Sequence, residues 1–249
     1  MGLIKPYYRI IRPFSLDDVE DYCENWENIF MIDKRYSDDR LEICRSYKII
    51  EKDLLQLFEY IEPTDSNLSI YSHKIYGLLL RASTEFETNS KRILEANGYT
   101  KCKNLEIRDY FKINKASRLC DYSIVLDFWN PNKKILHPFK EWNNGHSLSW
   151  YQAYNSVKHD RNKNFNKASL ENTLNAIAGL FAILFSQFFL FIDPYKITNG
   201  FSINDENFIF TDNILFGIKP STNWEPDEIY DFKWKDIKDD SAPFEKFSF

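Results

Sequence analysis

Between Asn155 and Lys167 the chain reads N-S-V-K-H-D-R-N-K-N-F-N-K, and most of the groups here that could do chemistry are polar or charged. His159 is the residue to start from. Imidazole is the one side chain whose ordinary pKa lies near neutrality, so His159 can take up or release a proton as a general base or acid. Lys158, Arg161 and Lys163 beside it suit a phosphate, the guanidinium by paired hydrogen bonds and the ammonium groups as point charges. On a helix, Tyr151, Asn155 and His159 fall at i, i+4 and i+8 and make a polar stripe. That stripe lies next to the apolar face formed by Trp150, Ala153 and Val157. A titratable stripe beside a core face can line a cleft. The same residues also suit a plainer role, with Asn155 and His159 bonding helix ends and loops and Lys158 to Lys167 forming a solvated turn.

The elements that must hold this stretch lie on either side of it. Asn172 to Ile192 is the most apolar run in the chain, with no charged residue between Glu171 and Asp193. Such a run suits the central helix of a bundle, apolar all round, and its Asn, Thr, Ser and Gln residues argue against a membrane span. A first long helix is predicted over 68–97. Leu68, Tyr71, Ile75, Leu78, Ala82, Phe86 and Ile93 form its buried face, and Asn97-Gly98 ends it. Two acids, Glu85 and Glu87, sit in its middle beside Arg81, Lys91 and Arg92. They belong either to a solvated face with i,i+4 ion pairs or to an inward position from which one acid orients a basic residue on another helix.

Elsewhere the pattern is mixed. Residues 1–14 read as an extended arm or short edge strand, Ser15 to about Phe30 as a capped helix, and 51–61 as a short amphipathic helix stopped by Pro63. Residues 31–50 show no clear period. A further helix is predicted over 105–118. At 122–129 and 135–139 the period changes to that of a β-hairpin joined by N-P-N-K-K, with His137 in a structural position before Pro138. His146 suits a cap for the next helix. Residues 201–220 suggest two or three meandering strands, and the tail from 221 carries Trp224 and Trp234 among many acids. The fold class expected is therefore mainly α: a helical bundle over 51–192 with a small hairpin inserted at about 122–139. An arm and helix (1–50) precede the bundle, and a β-rich extension (193–249) follows it.

Composition narrows the chemistry. The chain has 249 residues, a net charge of −5 and only 7 glycines, with neither a G-x-G-x-x-G nor a Walker-type loop. A globally basic nucleic-acid binder is not indicated, although a local basic patch is compatible with this balance. Cys23, Cys44, Cys102 and Cys120 form no C-x-x-C pair and no His stands at zinc-finger spacing, so neither a metal nor another cofactor is expected. The N-terminus has no apolar leader, which points to a reducing cytoplasmic setting with free thiols.

Two long helices, the first bearing acids and the second carrying Y-N-S-V-K-H just before a final apolar helix, resemble the HEPN superfamily over residues 51–192. Members are all-α bundles, often dimeric, and many are metal-independent endoribonucleases of toxin–antitoxin or phage-defence systems. The family signature is R-x(4–6)-H, commonly with a polar residue after the Arg. Asn155 matches that polar position and His159 the terminal His, whereas Tyr154 stands where the family has Arg. The resemblance implies a homodimer that binds RNA or a nucleotide, with an antitoxin or defence protein as partner. It also implies attack of an RNA 2′-OH on the adjacent phosphate. His159, Asn155 and Arg161 would be catalytic, Lys158, Tyr151, Tyr154 and Lys163 would bind substrate, and Glu85 or Glu87 would orient a cation. Lys158 or Arg161 would have to stabilise the phosphorane charge in place of the missing Arg. Without that charge, the domain would be a non-catalytic module that binds RNA or a nucleotide, or that serves only to dimerise or hold a partner.

Overall fold

A computed structural model describes residues 2–14, 29–101, 104–195, 200–212 and 214–249. The helix expected from Ser15 falls mostly outside these residues. The first long helix described is α1, Arg40–Phe58. Its buried stripe, Ile43, Cys44, Tyr47, Ile50, Leu54 and Leu57, is interleaved with Arg40, Glu42, Arg45 and Lys48. Those charges hide its first half from a periodicity reading, and it ends five residues before Pro63. Helix α2, His73–Ala96, starts where Ser72 accepts a hydrogen bond from the Ile75 amide and ends at Asn97, followed by Gly98 at φ +80°.

Residues 105–118 form two short helices, α3 (Ile107–Tyr110) and α4 (Ile113–Ser117), and not the single one expected. Helix α5, Ser149–His159, begins at Leu148 with no side-chain cap, so His146 does not cap it. A short helix α6, Arg161–Asn164, and a tight turn at Phe165–Lys167 lead into α7, Leu170–Phe188. Near the C-terminus, α8 spans Trp234–Ile237.

α7 is the spine. Every residue from Ala176 to Phe188 is buried. It runs parallel to α2: Thr173 donates to the Ile75 carbonyl (3.4 Å) and Gln187 Nε2 donates to Asn89 Oδ1 (2.9 Å), fourteen residues on in both helices. α1 runs antiparallel to α2, tied by Arg81–Asp53 (2.6 Å) and Arg92–Asp39 (3.4 Å). Trp150 of α5 packs where α7 has Gly179, whose missing Cβ would lie 3.2 Å from the indole, and its Nε1 donates to the Pro138 carbonyl.

The expectation of a mainly α bundle with a separate hairpin and meander is corrected by the β structure. Strands β1 (Ser123–Leu126), β2 (Lys134–Leu136), β3 (Phe201–Ile203), β4 (Ile209–Thr211) and β5 (Gly217–Lys219) form one antiparallel sheet in the order β2-β1-β5-β4-β3. The fold is mixed, 47% helix and 11% strand. Its joining pair is β1–β5, with Ile124 opposite Leu136 on one side and Ile218 on the other. That pairing links the inserted hairpin to the C-terminal segment across some ninety residues of chain. Local alternation gives each strand but not its partner, which is why two small β pieces were read from the sequence. The sheet covers α7 through Phe216, stacked on Phe181 at 5.8 Å.

The N-terminal arm and the C-terminal tail close the remaining side. Arg9 pairs with Asp39 and reaches Gln187, the Ile11 amide donates to the Ser186 carbonyl, and Arg12 lies over the rings of Tyr7, Trp224 and Phe247. The Asn97 amide group donates to the Tyr8 carbonyl and accepts from the Phe247 amide, joining arm, helix end and tail. No helix among the described residues is long and apolar enough to cross a membrane.

Two glycines test this packing. A Cβ at Gly217 would overlap the Phe210 ring and lie 2.7 Å from Val125 Cγ1 in the β1–β5 pair, whereas a Cβ at Gly77, inside α2, meets nothing within 4 Å. Gly217→Ala should therefore destabilise the fold by ~1–3 kcal/mol through overpacking. Gly77→Ala should stabilise it by up to about 1 kcal/mol through helix propensity. Urea midpoints of the two variants against the parent check both signs.

Candidate functional site

The stripe read from the sequence is split by the fold. Tyr151 and Tyr154 are 6% and 2% exposed, so their rings belong to the core and are withdrawn from any ligand, contrary to the substrate-binding role implied for them. They turn toward α2, where Tyr151 Oη donates to Glu87 Oε1 at 2.6 Å. Lys158, one helical turn after Tyr154, donates its ammonium to Tyr154 Oη at 2.8 Å and sits over the same ring at 4.8 Å. Tyr154 also packs against Tyr151, with ring centroids 5.5 Å apart.

Glu87, Tyr151, Tyr154 and Lys158 thus form one partly buried network between α2 and α5. Burial raises the Tyr151 hydroxyl far above its usual range, and the bond to Glu87 adds to the shift. The bond to Tyr154 holds the Lys158 ammonium charged above the ordinary lysine value, with the Glu87 charge acting in the same direction. Glu85 faces away from this network, toward α1. Burial and the Glu42 charge raise its carboxyl, against a hydrogen bond from Ser46. Of the two acids, Glu87 meets α5, and the group it orients is a tyrosine.

The remaining residues lie outside. Asn155 is half-buried on the outer face of α5, and His159 ends the helix, exposed. Asp160 accepts from the Lys163 amide (3.2 Å) and so starts α6. Asn164 donates to the Ser156 and Asp160 carbonyls and Lys167 to Ser156 Oγ (3.3 Å), folding the turn back along the end of α5. Lys163 approaches Asp160 at 3.7 Å but is 85% exposed, so that pair contributes little. Among the described residues, the side chains of Asn155, His159 and Arg161 make no hydrogen bond or ion pair. The result is an exposed basic turn carrying Lys158, Arg161, Lys163 and Lys167 against the single Asp160. That is +3 within ten residues of a chain whose net charge is −5.

The fold adds residues that spacing does not single out. Phe165, in the middle of the basic turn, packs against Tyr71 (5.3 Å), His73 (4.8 Å) and Tyr76 (6.0 Å) at the start of α2. Tyr71 was assigned to the buried face of the first long helix, but α2 begins only at His73. Tyr71 lies before it, 49% exposed, bridged to Ser169. No local signal reveals this, because the two segments lie far apart in sequence and meet only when α7 docks on α2.

Other polar features are separate from this patch. His137 Nδ1 lies 3.1 Å from Ser123 Oγ across β1 and β2, on the rim of a groove of about 660 Å³ that Asp121 and Asp205 also line. No group of three or more His, Cys, Asp or Glu side chains placed to hold a metal occurs among the described residues.

The network titrates at high pH with a definite sign. Because the folded Tyr151 hydroxyl holds its proton above the unfolded value of about 10, the unfolded chain ionises first. The stabilisation is intact below about pH 10 and is lost as pH rises from there toward the folded value. Tyr47, Tyr110, Tyr122 and Tyr230, also raised chiefly by burial, act in the same direction. Tyr151→Phe should cost ~1–2 kcal/mol at neutral pH, by loss of a hydrogen bond to a charged acceptor. It should also make the fall of melting temperature above about pH 10 shallower than in the parent. Melting curves across that range check both effects.

Compared with known proteins, the chain matches no family model, no curated protein and no solved structure.

Proposed function

We propose that this chain binds RNA through the exposed turn between Lys158 and Lys167, without cutting it. The observation that carries this reading is the concentration of positive charge on that turn, +3 in ten residues of a chain at −5. Cationic side chains that neutralise phosphates release condensed counterions, so such a turn supplies affinity independent of base sequence. The resemblance to HEPN proteins, resting on Asn155 and His159, suggests RNA as the polyanion. An antitoxin or defence partner and a homodimer belong to the same reading.

The absence of cutting follows from Tyr154. At the position of the family's Arg stands a phenol 2% exposed, and the nearest cation, Lys158, is drawn to that phenol on the Glu87 side. Among the described residues no cation is clamped beside His159, so charge developing on a phosphorane would be met only by exposed side chains on the turn.

One observation favours a second reading, metal-independent cleavage. His159 is exposed and lies between Lys158 and Arg161 in sequence, so a bound strand could draw both cations around one phosphate.

A single set of assays separates these readings. Fluorescence anisotropy with a labelled RNA oligomer should show binding that weakens steeply with salt. Arg161→Ala and Lys163→Ala should each weaken it severalfold, and together they should lower the slope of log K against log salt by roughly 1.5. Gel analysis of the same RNA in chelator should show it intact with the parent and with His159→Ala. Products formed by the parent and lost in His159→Ala would establish the second reading, and absence of binding by the parent would dismiss both.

A further inference from the structure

We propose that the ligand of the basic turn is a single strand whose bases stack on an aromatic edge formed by Tyr71, His73 and Phe165. This rests on the RNA-binding reading and names the form of polynucleotide it takes.

The observation is the place of Phe165. It stands in the basic turn between Lys163 and Lys167, where an apolar ring is otherwise out of place, and it is only partly buried. Its neighbours come from the other side of the molecule's seam. His73 is tilted against it at 38°, and Tyr71 meets it edge to face at 82°. His73 and Tyr71 are exposed, so the edge presents two open rings backed by a third. The cluster is held from below, because the Leu170 amide donates to the Ile70 carbonyl at 2.8 Å and the Glu171 amide to the Leu68 carbonyl at 3.0 Å. The rings are therefore mounted on paired backbone and are presented with little freedom to lose on binding.

Beyond them the pattern repeats. Lys74 lies over the ring of Tyr60 at 5.3 Å, and Tyr60 is 77% exposed. Lys74, next to His73 in the chain, thus adds a second exposed pairing of a cation with a ring. A duplex buries the faces of its bases in its own stack, so it could use the cations but not the rings. A single strand offers both a phosphate row and free base faces, and each base stacked on an aromatic ring adds measurably to affinity whatever its identity. The shared chemistry is that of a single-stranded polynucleotide, RNA or DNA.

The test compares four probes of equal phosphate number on the full chain: an oligouridylate, an oligothymidylate, an abasic strand, and a blunt RNA duplex. The parent should bind the two single strands at least about fivefold more tightly than the abasic strand or the duplex, the effect of one stacked base. Tyr71→Ala and His73→Ala should each abolish most of that difference while leaving binding of the abasic strand and the salt slope unchanged. Tyr71→Trp should restore it, which a merely structural role for Tyr71 would not predict. A preference for uridylate over thymidylate favours RNA, the reverse favours DNA, and equal binding identifies single strands of either kind; all three support the stacking edge. If Arg161→Ala and Lys163→Ala weaken binding while the parent holds abasic and base-bearing strands equally, the RNA-binding reading stands and the stacking edge is overturned. If no probe binds the parent, both fall.

Discussion

The arrangement depends on covering α7. A helix apolar on all sides, with no charge between Glu171 and Asp193, cannot leave any face to water, and each fully buried Leu, Ile or Phe contributes ~1.5–3 kcal/mol. Several elements each cover one side of it. α2 lies parallel along its length, Tyr47 of α1 stacks on Phe181 at 5.8 Å, Phe216 just before β5 stacks on the same ring, and Trp150 closes over Gly179. The polar residues that interrupt the apolar run then need partners inside the core. Gln187 finds Asn89 and Arg9, and Ser186 offers its carbonyl to Ile11, so the N-terminal arm is recruited as the last cover. These buried polar contacts also fix the register of α7 on α2, because a slip of one turn would strand Gln187 and Asn89 together.

That register has a consequence at the other end of the same pair. With Thr173 beside Ile75, the segment before α7 must pass the segment before α2, and the Ser169–Tyr71 bridge follows. The basic turn and the exposed rings therefore meet because the core has a single register. The local geometry of the candidate site is inherited from packing about 20 Å of helix away, the fourteen residues between Thr173 and Gln187.

What could be read in the sequence follows from range. The period of Ile75, Leu78, Ala82 and Phe86 and the Asn97-Gly98 stop are local properties, and the body and C-terminal end of α2 appear where they place them, whereas its start falls at the Ser72 cap and not at Leu68. The strands were visible for the same reason, but β1–β5 pairing is not local, and it changes the fold from a bundle with small appendages to a mixed architecture. At the site, helical spacing correctly put Tyr151, Asn155 and His159 on neighbouring positions. It could not tell that Glu87 would draw Tyr151 inward while His159 stayed in water, since this depends on how far α5 rolls on α2. Tyr71 went astray because the helix was expected from Leu68 and begins five residues later, at His73, which turned an exposed ring into an expected core residue.

The cations of the turn are not equivalent, and their structural roles can be subtracted. Lys158 lies in the last turn of α5, where positive charge is favoured by the helix dipole, and it is further held by Tyr154. Lys167 bonds Ser156, and Asp160 both starts α6 and draws Lys163 weakly. Arg161 is left with no internal task. An arginine at position 154 would face the opposite situation: it would be buried among Tyr110 and Tyr151 with Glu87 as its counter-ion, a costly arrangement that a phenol avoids. Tyrosine there gives the core a hydroxyl that accepts from Lys158, so this cation is tied to the seam between α2 and α5, and the more exposed cations, Arg161 and Lys163, lie beyond the helix end.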